Sequence, residues 1–412
     1  KTIQMKTTHC ILCEGPLSSI LNLGSHALAN ALSDSSNAQS KSHELHLHRC
    51  SSCSHIQLNL LVNPKELFSH YVWVTGTSSA AQEYSYSFRD KILKYLPECR
   101  SVLEIASNDG TFLKPFIDLG MEVLGVDPAQ NIVDIANEEG VRTICEFFSS
   151  SEAEKIVSKY CKEGFDAVIA RNVIAHTPNP VDMLKGISQC LSEKGLAFVE
   201  YHDALHIMKE FQYDSIYHEH YSYFHLNSFM KAAMLADLKV VDHFRSPISG
   251  GASVIVIAKQ NSTVDMSLSI EEKLHLDRVV GVDSEETWLQ FSQKAILHSK
   301  QLYEQIDSQS QLGDVYCYGS SARSNTMLAF AGIDKRQIKL IVDNNPLKQN
   351  KFTPGSGIPI KSKEYLPKSN AFLVLLAWNF SSEITKKLIE DGYRNITVLQ
   401  PLPEAIRSYK IG

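Results

Sequence analysis

The sequence predicts an α/β protein in three parts: a cysteine-rich amino-terminal module, a central doubly wound domain and a second Rossmann-like α/β domain at the carboxyl end. Two Cys-x-x-Cys pairs, Cys10/Cys13 and Cys50/Cys53, mark the first part. Between residues 101 and 200, apolar runs ending in small-residue turns alternate with helix-patterned segments. The same alternation resumes at Val315. At 412 residues the chain is too long for one ordinary core, so several domains are expected. We place them at 1–72, 73–262, 263–311 (a helical connector) and 312–412.

Composition narrows the function. Hydrophobic residues at 43% and charged residues at 21% describe a soluble globular chain. A formal net charge of −6 offers no concentrated basic surface for nucleic acid. No apolar run approaches the roughly 20 residues that cross a bilayer. Ala371–Trp378 reads as a buried strand. The first eight residues lack the apolar core of a signal peptide. Nine cysteines, four of them in paired knuckles, fit a reducing compartment, so a cytoplasmic location is expected. A monomer or weak oligomer with no membrane partner is expected.

Four thiolates from Cys10, Cys13, Cys50 and Cys53 can meet one Zn²⁺ tetrahedrally. Such a site has no open position, so the metal is expected to be structural and coupled to folding. A disulfide pair and a redox Cys-x-x-Cys are the competing readings. In His43-Glu-Leu-His-Leu-His48, strand alternation sets His46 and His48 on one face against Leu45 and Leu47.

The stretch Ser101-Val-Leu-Glu-Ile-Ala-Ser-Asn-Asp-Gly110 is an apolar strand ending in a tight turn. A helix-like run over 111–119 and a strand over 121–127 follow, the latter ending in Asp127. Such a unit binds its ligand at the strands' carboxyl ends, where Asp127 is placed to accept from a ribose diol and Gly110 allows close approach. A dinucleotide turn requires three glycines. Here the turn carries Glu104, Ala106, Asn108 and Asp109 with one glycine. Carboxylates repel a pyrophosphate but suit the ammonium and sulfonium of S-adenosylmethionine. NAD remains the alternative, and Asp109 also reads as a helix N-cap. Asn172 and His176 follow the strand Phe165–Ala170, again on the ligand side. Phe147 and Phe148 can flank an adenine or simply pack in the core.

The most unusual segment is Tyr213-Asp-Ser-Ile-Tyr-His-Glu-His-Tyr-Ser-Tyr-Phe224. Histidine supplies a base near neutral pH, and a carboxylate can fix its tautomer. Extended chain would pair His218 with His220, and Glu219 and Tyr217 need a turn to converge. Metal ligation by His-x-His and a purely structural hydrogen-bonded cluster are the rivals. Farther on, Gly319, Ser320 and Ser321 open a helix start whose free N–H groups attract phosphate, and Arg323 can add a bidentate contact. An ordinary βα turn is the plain alternative.

Taken together, the cysteine quartet, Leu103-Glu-Ile-Ala-Ser-Asn-Asp-Gly110, Gly125-Val-Asp-Pro128, Asn172-Val-Ile-Ala-His176 and Tyr217-His-Glu-His220 resemble the sugar C-methyltransferase family. Gly250-Gly251, Gly319-Ser-Ser-Ala-Arg-Ser-Asn-Thr326 and Val342-Asp-Asn-Asn-Pro-Leu-Lys-Gln349 extend the likeness over almost the whole chain. The resemblance implies S-adenosylmethionine as donor, held by Glu104, Ala106, Asn108, Asp109, Gly110, Asp127, Pro128, Phe148 and Asn172. It implies a nucleotide-linked 4-keto-6-deoxy sugar as acceptor, methylated at C3. His220 would be the base, with Glu219, Tyr217, His176 and Tyr71 around the sugar. His218, Gly319, Ser321, Arg323 and Asn325 would lie on the substrate side, between the two α/β domains. The chain departs from the family pattern at Ala106, where relatives carry glycine, and in Gly-Ser-Ser-Ala-Arg, where they tend to carry Gly-Ala-Pro-Ala-Lys. A methyltransferase for another small acceptor, an inactive zinc- and nucleotide-binding module and a dehydrogenase are the alternatives.

Overall fold

The computed structural model describes residues 5–69, 74–248 and 251–412. Tyr71, Gly250 and the 72/73 boundary lie outside the described residues.

A seven-stranded sheet forms the centre, in the order Leu238–Arg245, Ala252–Lys259, Leu191–His202, Phe165–Arg171, Ser101–Ile105, Glu122–Asp127 and Thr143–Cys145. The last five run parallel, and Ala252–Lys259 enters antiparallel to Leu191–His202. Strands such as 102–105 and 167–170 are buried on both faces, as a parallel sheet covered by helices requires. The strand order reverses beside Ser101–Ile105, so the crevice opens at its carboxyl end. The helix expected over 111–119 shrinks to Lys114–Ile117. Asp109 explains this, because its Oδ1 accepts from both the Thr111 N–H (3.2 Å) and hydroxyl (2.7 Å) and holds the chain in a turn.

A second sheet runs Ile360–Lys361, Leu340–Val342, Val315–Tyr318, Phe372–Leu375, Ile396–Gln400 and Arg407–Ile411, parallel except for the last strand. Its first turn copies the wiring of the central domain. Asp127 accepts from the Asn108 and Ala129 N–H groups at 3.0 Å each. Asp343 accepts from those of Ser320 and Asn345 at 2.8 Å each. The intervening helices Leu268–Val280 and Glu285–Ser310 are more than a solvated connector. The longer one buries Trp288, Phe291, Ala295, Leu302 and Ile306.

The amino-terminal sheet orders Ser222–Tyr223, Ile56–Leu58, Ser42–Cys50 and Leu17–Ala27, all antiparallel. Its outermost strand is therefore lent by the chain just after His220. Alternation holds along Ser42–Cys50: Leu45 and Leu47 are buried, while the His46 and His48 rings lie 4.2 Å apart on the opposite face. The module has no core of its own. Cys10, Leu12 and Cys50 pack with Leu103, Phe224 and Phe229, whereas Leu21, Leu23, Leu47 and Leu58 pack with Trp288, Ile306 and Ile341.

Candidate active site

Four sulfurs gather where the two knuckles turn back on each other. Cys10 and Cys53 Sγ lie 3.6 Å apart and Cys13 and Cys50 Sγ 3.5 Å apart, with all four within 4.8 Å. A tetrahedron of zinc–sulfur bonds of about 2.3 Å demands sulfur separations of about 3.8 Å, so the cradle fits Zn²⁺. Among the described residues every cysteine is free, which removes the disulfide reading.

At the carboxyl ends of the central strands lies a cavity of ≈ 900 Å³. Glu104, Ala106, Asn108, Asp127, Pro128, Phe147, Phe148, Asn172 and His176 all line it. Ala106, Asn108 and Asn172 have φ of 54°, 51° and 50°, a left-handed backbone that asparagine tolerates and alanine adopts only with strain. Burial pushes the Glu104 carboxyl up to about 8, against the pull of Arg171. Its Oε2 has no hydrogen-bond partner among the described residues. Arg171, at the neighbouring strand end, is committed to Glu200 at 2.8 Å and stacks 3.4 Å over Phe112.

Two residues expected on this wall are elsewhere. The Asp109 carboxylate accepts from the Gly76 N–H at 2.8 Å, clamping the 75–77 turn beside the cavity. Gly110, at φ 77°, has Val141 beneath it, and an added Cβ would meet that side chain at 2.6 Å. Glycine is required here by packing against Val141 and by the backbone conformation.

The 217–220 segment is a turn rather than extended chain: the His220 N–H donates to the Tyr217 carbonyl at 3.0 Å. That geometry unites Tyr217 with His220 and separates His218 from both. His220 Nδ1 is 3.1 Å from the Ser215 carbonyl, which only accepts, so Nδ1 carries the proton and Nε2 the lone pair. The Tyr217 hydroxyl rests on that Nε2 at 3.1 Å. Burial pushes His220 down to about 4, partly opposed by the Ser215 carbonyl and assisted by Arg323, so the ring is neutral at neutral pH. The His176 ring stands 4.8 Å away, between His220 and the cavity. Glu219 accepts from the Asn30 amide at 2.5 Å, and burial raises its carboxyl to about 7. His218 points the other way, 3.1 Å from the His43 carbonyl under the zinc module.

In the carboxyl-terminal domain, Ser321 is the N-cap of helix Ala322–Ala331, its oxygen accepting from the Ser324 N–H. Gly319 has φ 95° and faces Ala377, which an added Cβ would meet at 2.6 Å. The Arg323 guanidinium grips Asp214 through Nη2 (2.8 Å) and Nε (3.1 Å), rather than standing ready for a phosphate. Asn325 donates to the Ala29 carbonyl at 2.8 Å, and its Oδ1, like the hydroxyl of Ser320, is buried without a partner among the described residues. Sequence reasoning missed Asn30, Arg171 and Asp214. Only Arg171 carried a signal, its place at a strand's carboxyl end.

The chain matches three protein-family models in succession: a putative zinc binding domain over 10–68, a methyltransferase domain over 79–243 and a C-methyltransferase C-terminal domain over 247–403. C-methyltransferase NovU from Streptomyces niveus is 31% identical over 397 residues, covering 93% of each chain. The chain belongs to the C-methyltransferase family. A ubiquinone biosynthesis O-methyltransferase from Bartonella bacilliformis is 25% identical over 99 residues, 24% of this chain and 39% of that one. Among solved structures, the PH0226 protein from Pyrococcus horikoshii OT3 aligns with 47% of this chain and 97% of its own at 17% identity and a TM-score of 0.37.

This C-methyltransferase depends on S-adenosylmethionine and carries a structural zinc site. The cavity suits the donor chemically. Glu104 Oε2 is buried without a partner among the described residues and, once ionised, would accept from the donor's ammonium, and each Asp127 oxygen keeps a lone pair beyond its single backbone bond. Among the described residues no helix is long and apolar enough to cross a membrane.

Proposed function

We propose that the enzyme methylates C3 of a nucleotide-linked 4-keto-6-deoxy sugar, with His220 as the base. The supporting observation is the His220 ring itself, neutral, with its lone pair on Nε2 and its proton pinned to the Ser215 carbonyl. A ketone at C4 acidifies the C3 hydrogen. His220 Nε2 takes that proton, and the C–H electron pair becomes an enolate. The Tyr217 hydroxyl, held protonated by burial, moves from Nε2 onto the enolate oxygen. When bound, S-adenosylmethionine supplies the electrophilic methyl carbon to which C3 bonds as the carbon–sulfur bond breaks. His176, which lines the cavity, packs edge-on against the His220 ring at 4.8 Å and so links the base to the cavity wall. The nucleotide is assigned to the turn at 319–325, where the buried Ser320 hydroxyl and Asn325 Oδ1 await partners.

The test is solvent deuterium exchange at C3 across a panel of such sugar nucleotides. His220→Ala should slow exchange by about 10²–10⁴-fold while donor affinity stays unchanged. One observation favours a second assignment: Glu219, raised to about 7, is the stronger base at neutral pH. Exchange that survives His220→Ala and fails in Glu219→Gln would transfer the role.

A further inference from the structure

We infer that Asp214 is a positioning residue through which the carboxyl-terminal domain fixes the orientation of His220. This rests on the reading of His220 as the base. Asp214 lies in the short turn Tyr213–Ser215, fully buried. All three donors on its carboxylate come from the carboxyl-terminal domain. Arg323 occupies both oxygens, at 2.8 and 3.1 Å, and the Trp378 indole N–H donates to Oδ2 at 2.9 Å. The guanidinium also lies 5.0 Å over the Trp378 ring and reaches Gln212 Oε1 at 3.2 Å.

The neighbouring residues make this grip matter. Tyr213 bonds His298 Nδ1 at 3.0 Å, and His298 Nε2 meets the Pro401 carbonyl at 2.7 Å, so the turn is also anchored at the residue before Asp214. The next residue, Ser215, offers the carbonyl that accepts the His220 Nδ1 proton at 3.1 Å. A shift of Asp214 therefore moves the one acceptor that selects the tautomer of the base. Trp378 is followed by Asn379 and Phe380, both on the wall of the donor cavity. One short segment thus lines the cavity and bonds the Asp214 carboxylate.

A merely structural domain contact would alter melting temperature alone. The test uses the full zinc-loaded chain and two variants, Asp214→Asn and the milder Trp378→Phe, which removes a single donor. The first readout needs no acceptor: ¹⁵N spectra of histidine-labelled protein report the His220 tautomer. Wild type should show Nδ1–H alone, and both variants a mixture of tautomers. The second readout is C3 deuterium exchange with thymidine diphosphate-4-keto-6-deoxyglucose as probe. We expect its maximal rate to fall about 10-fold or more while KM and donor affinity stay within about twofold, since misplacement by an ångström costs up to about 100-fold. A lowered melting temperature with an unchanged His220 tautomer in both variants would overturn the inference. Should His220→Ala itself leave exchange intact, the base assignment fails instead, and the tautomer spectra still decide whether Asp214 orients the ring.

Discussion

Glu104→Gln separates charge from shape at the floor of the donor cavity. The side chain is buried, its Oε2 is unpartnered among the described residues, and burial raises its carboxyl to about 8. At about pH 7 only about one carboxyl in ten is then ionised in the ligand-free enzyme. Only the anion balances the donor's positive charge, so affinity for S-adenosylmethionine should rise with pH and flatten above about 8. A charge-assisted hydrogen bond contributes about 1.5–3 kcal/mol, or about 10- to 150-fold. With about 30-fold as the midpoint, the glutamine variant should bind about 20-fold more weakly at about pH 8.5 and about 4-fold more weakly at about pH 7. At about pH 6 the two proteins should differ by less than twofold. Isothermal titration calorimetry in buffers of different ionisation enthalpy measures affinity and the proton released together. A wild-type affinity that is flat from about pH 6 to 8.5, or a variant that binds equally at every pH, would refute the role given to Glu104.

Two further outcomes follow from the frame around the site. Atomic emission should find one Zn²⁺ per chain, and chelation should lower the melting temperature by roughly 10 °C or more and abolish methyl transfer. A zinc-free chain that melts and reacts normally would remove the structural role. Lys273→Met leaves Asp203 and Asp277, which the ammonium bridges at 2.7 and 3.2 Å, buried without their cation. Urea unfolding should show a loss of about 3–5 kcal/mol, and a loss below about 1 kcal/mol would mean that water already screens the trio.

What the sequence made legible was local. The knuckle spacing brought the sulfurs together, and the strand-ending positions of Glu104, Asp127, Asn172 and His176 put them on one cavity wall. Misreadings arose where a distant element decided the outcome. Gly110 answers to Val141, and Arg323 to Asp214, more than a hundred residues away. No periodicity announces that Asn30 will hold Glu219. Alternation pairs His218 with His220 only in extended chain, and one tight turn reverses that parity.

The strand Ser222–Tyr223, annealed to Ile56–Leu58, bears on how the enzyme comes into being. The proposed base stands between a strand annealed to the amino-terminal module and a carboxylate gripped by the carboxyl-terminal domain. A ribosome-bound chain whose central domain has already emerged still lacks Arg323 and Trp378. On the reading of His220 as the base, such a partial chain carries the cavity-lining strands but not the Arg323 and Trp378 donors that hold Asp214 and, through the turn, the ring.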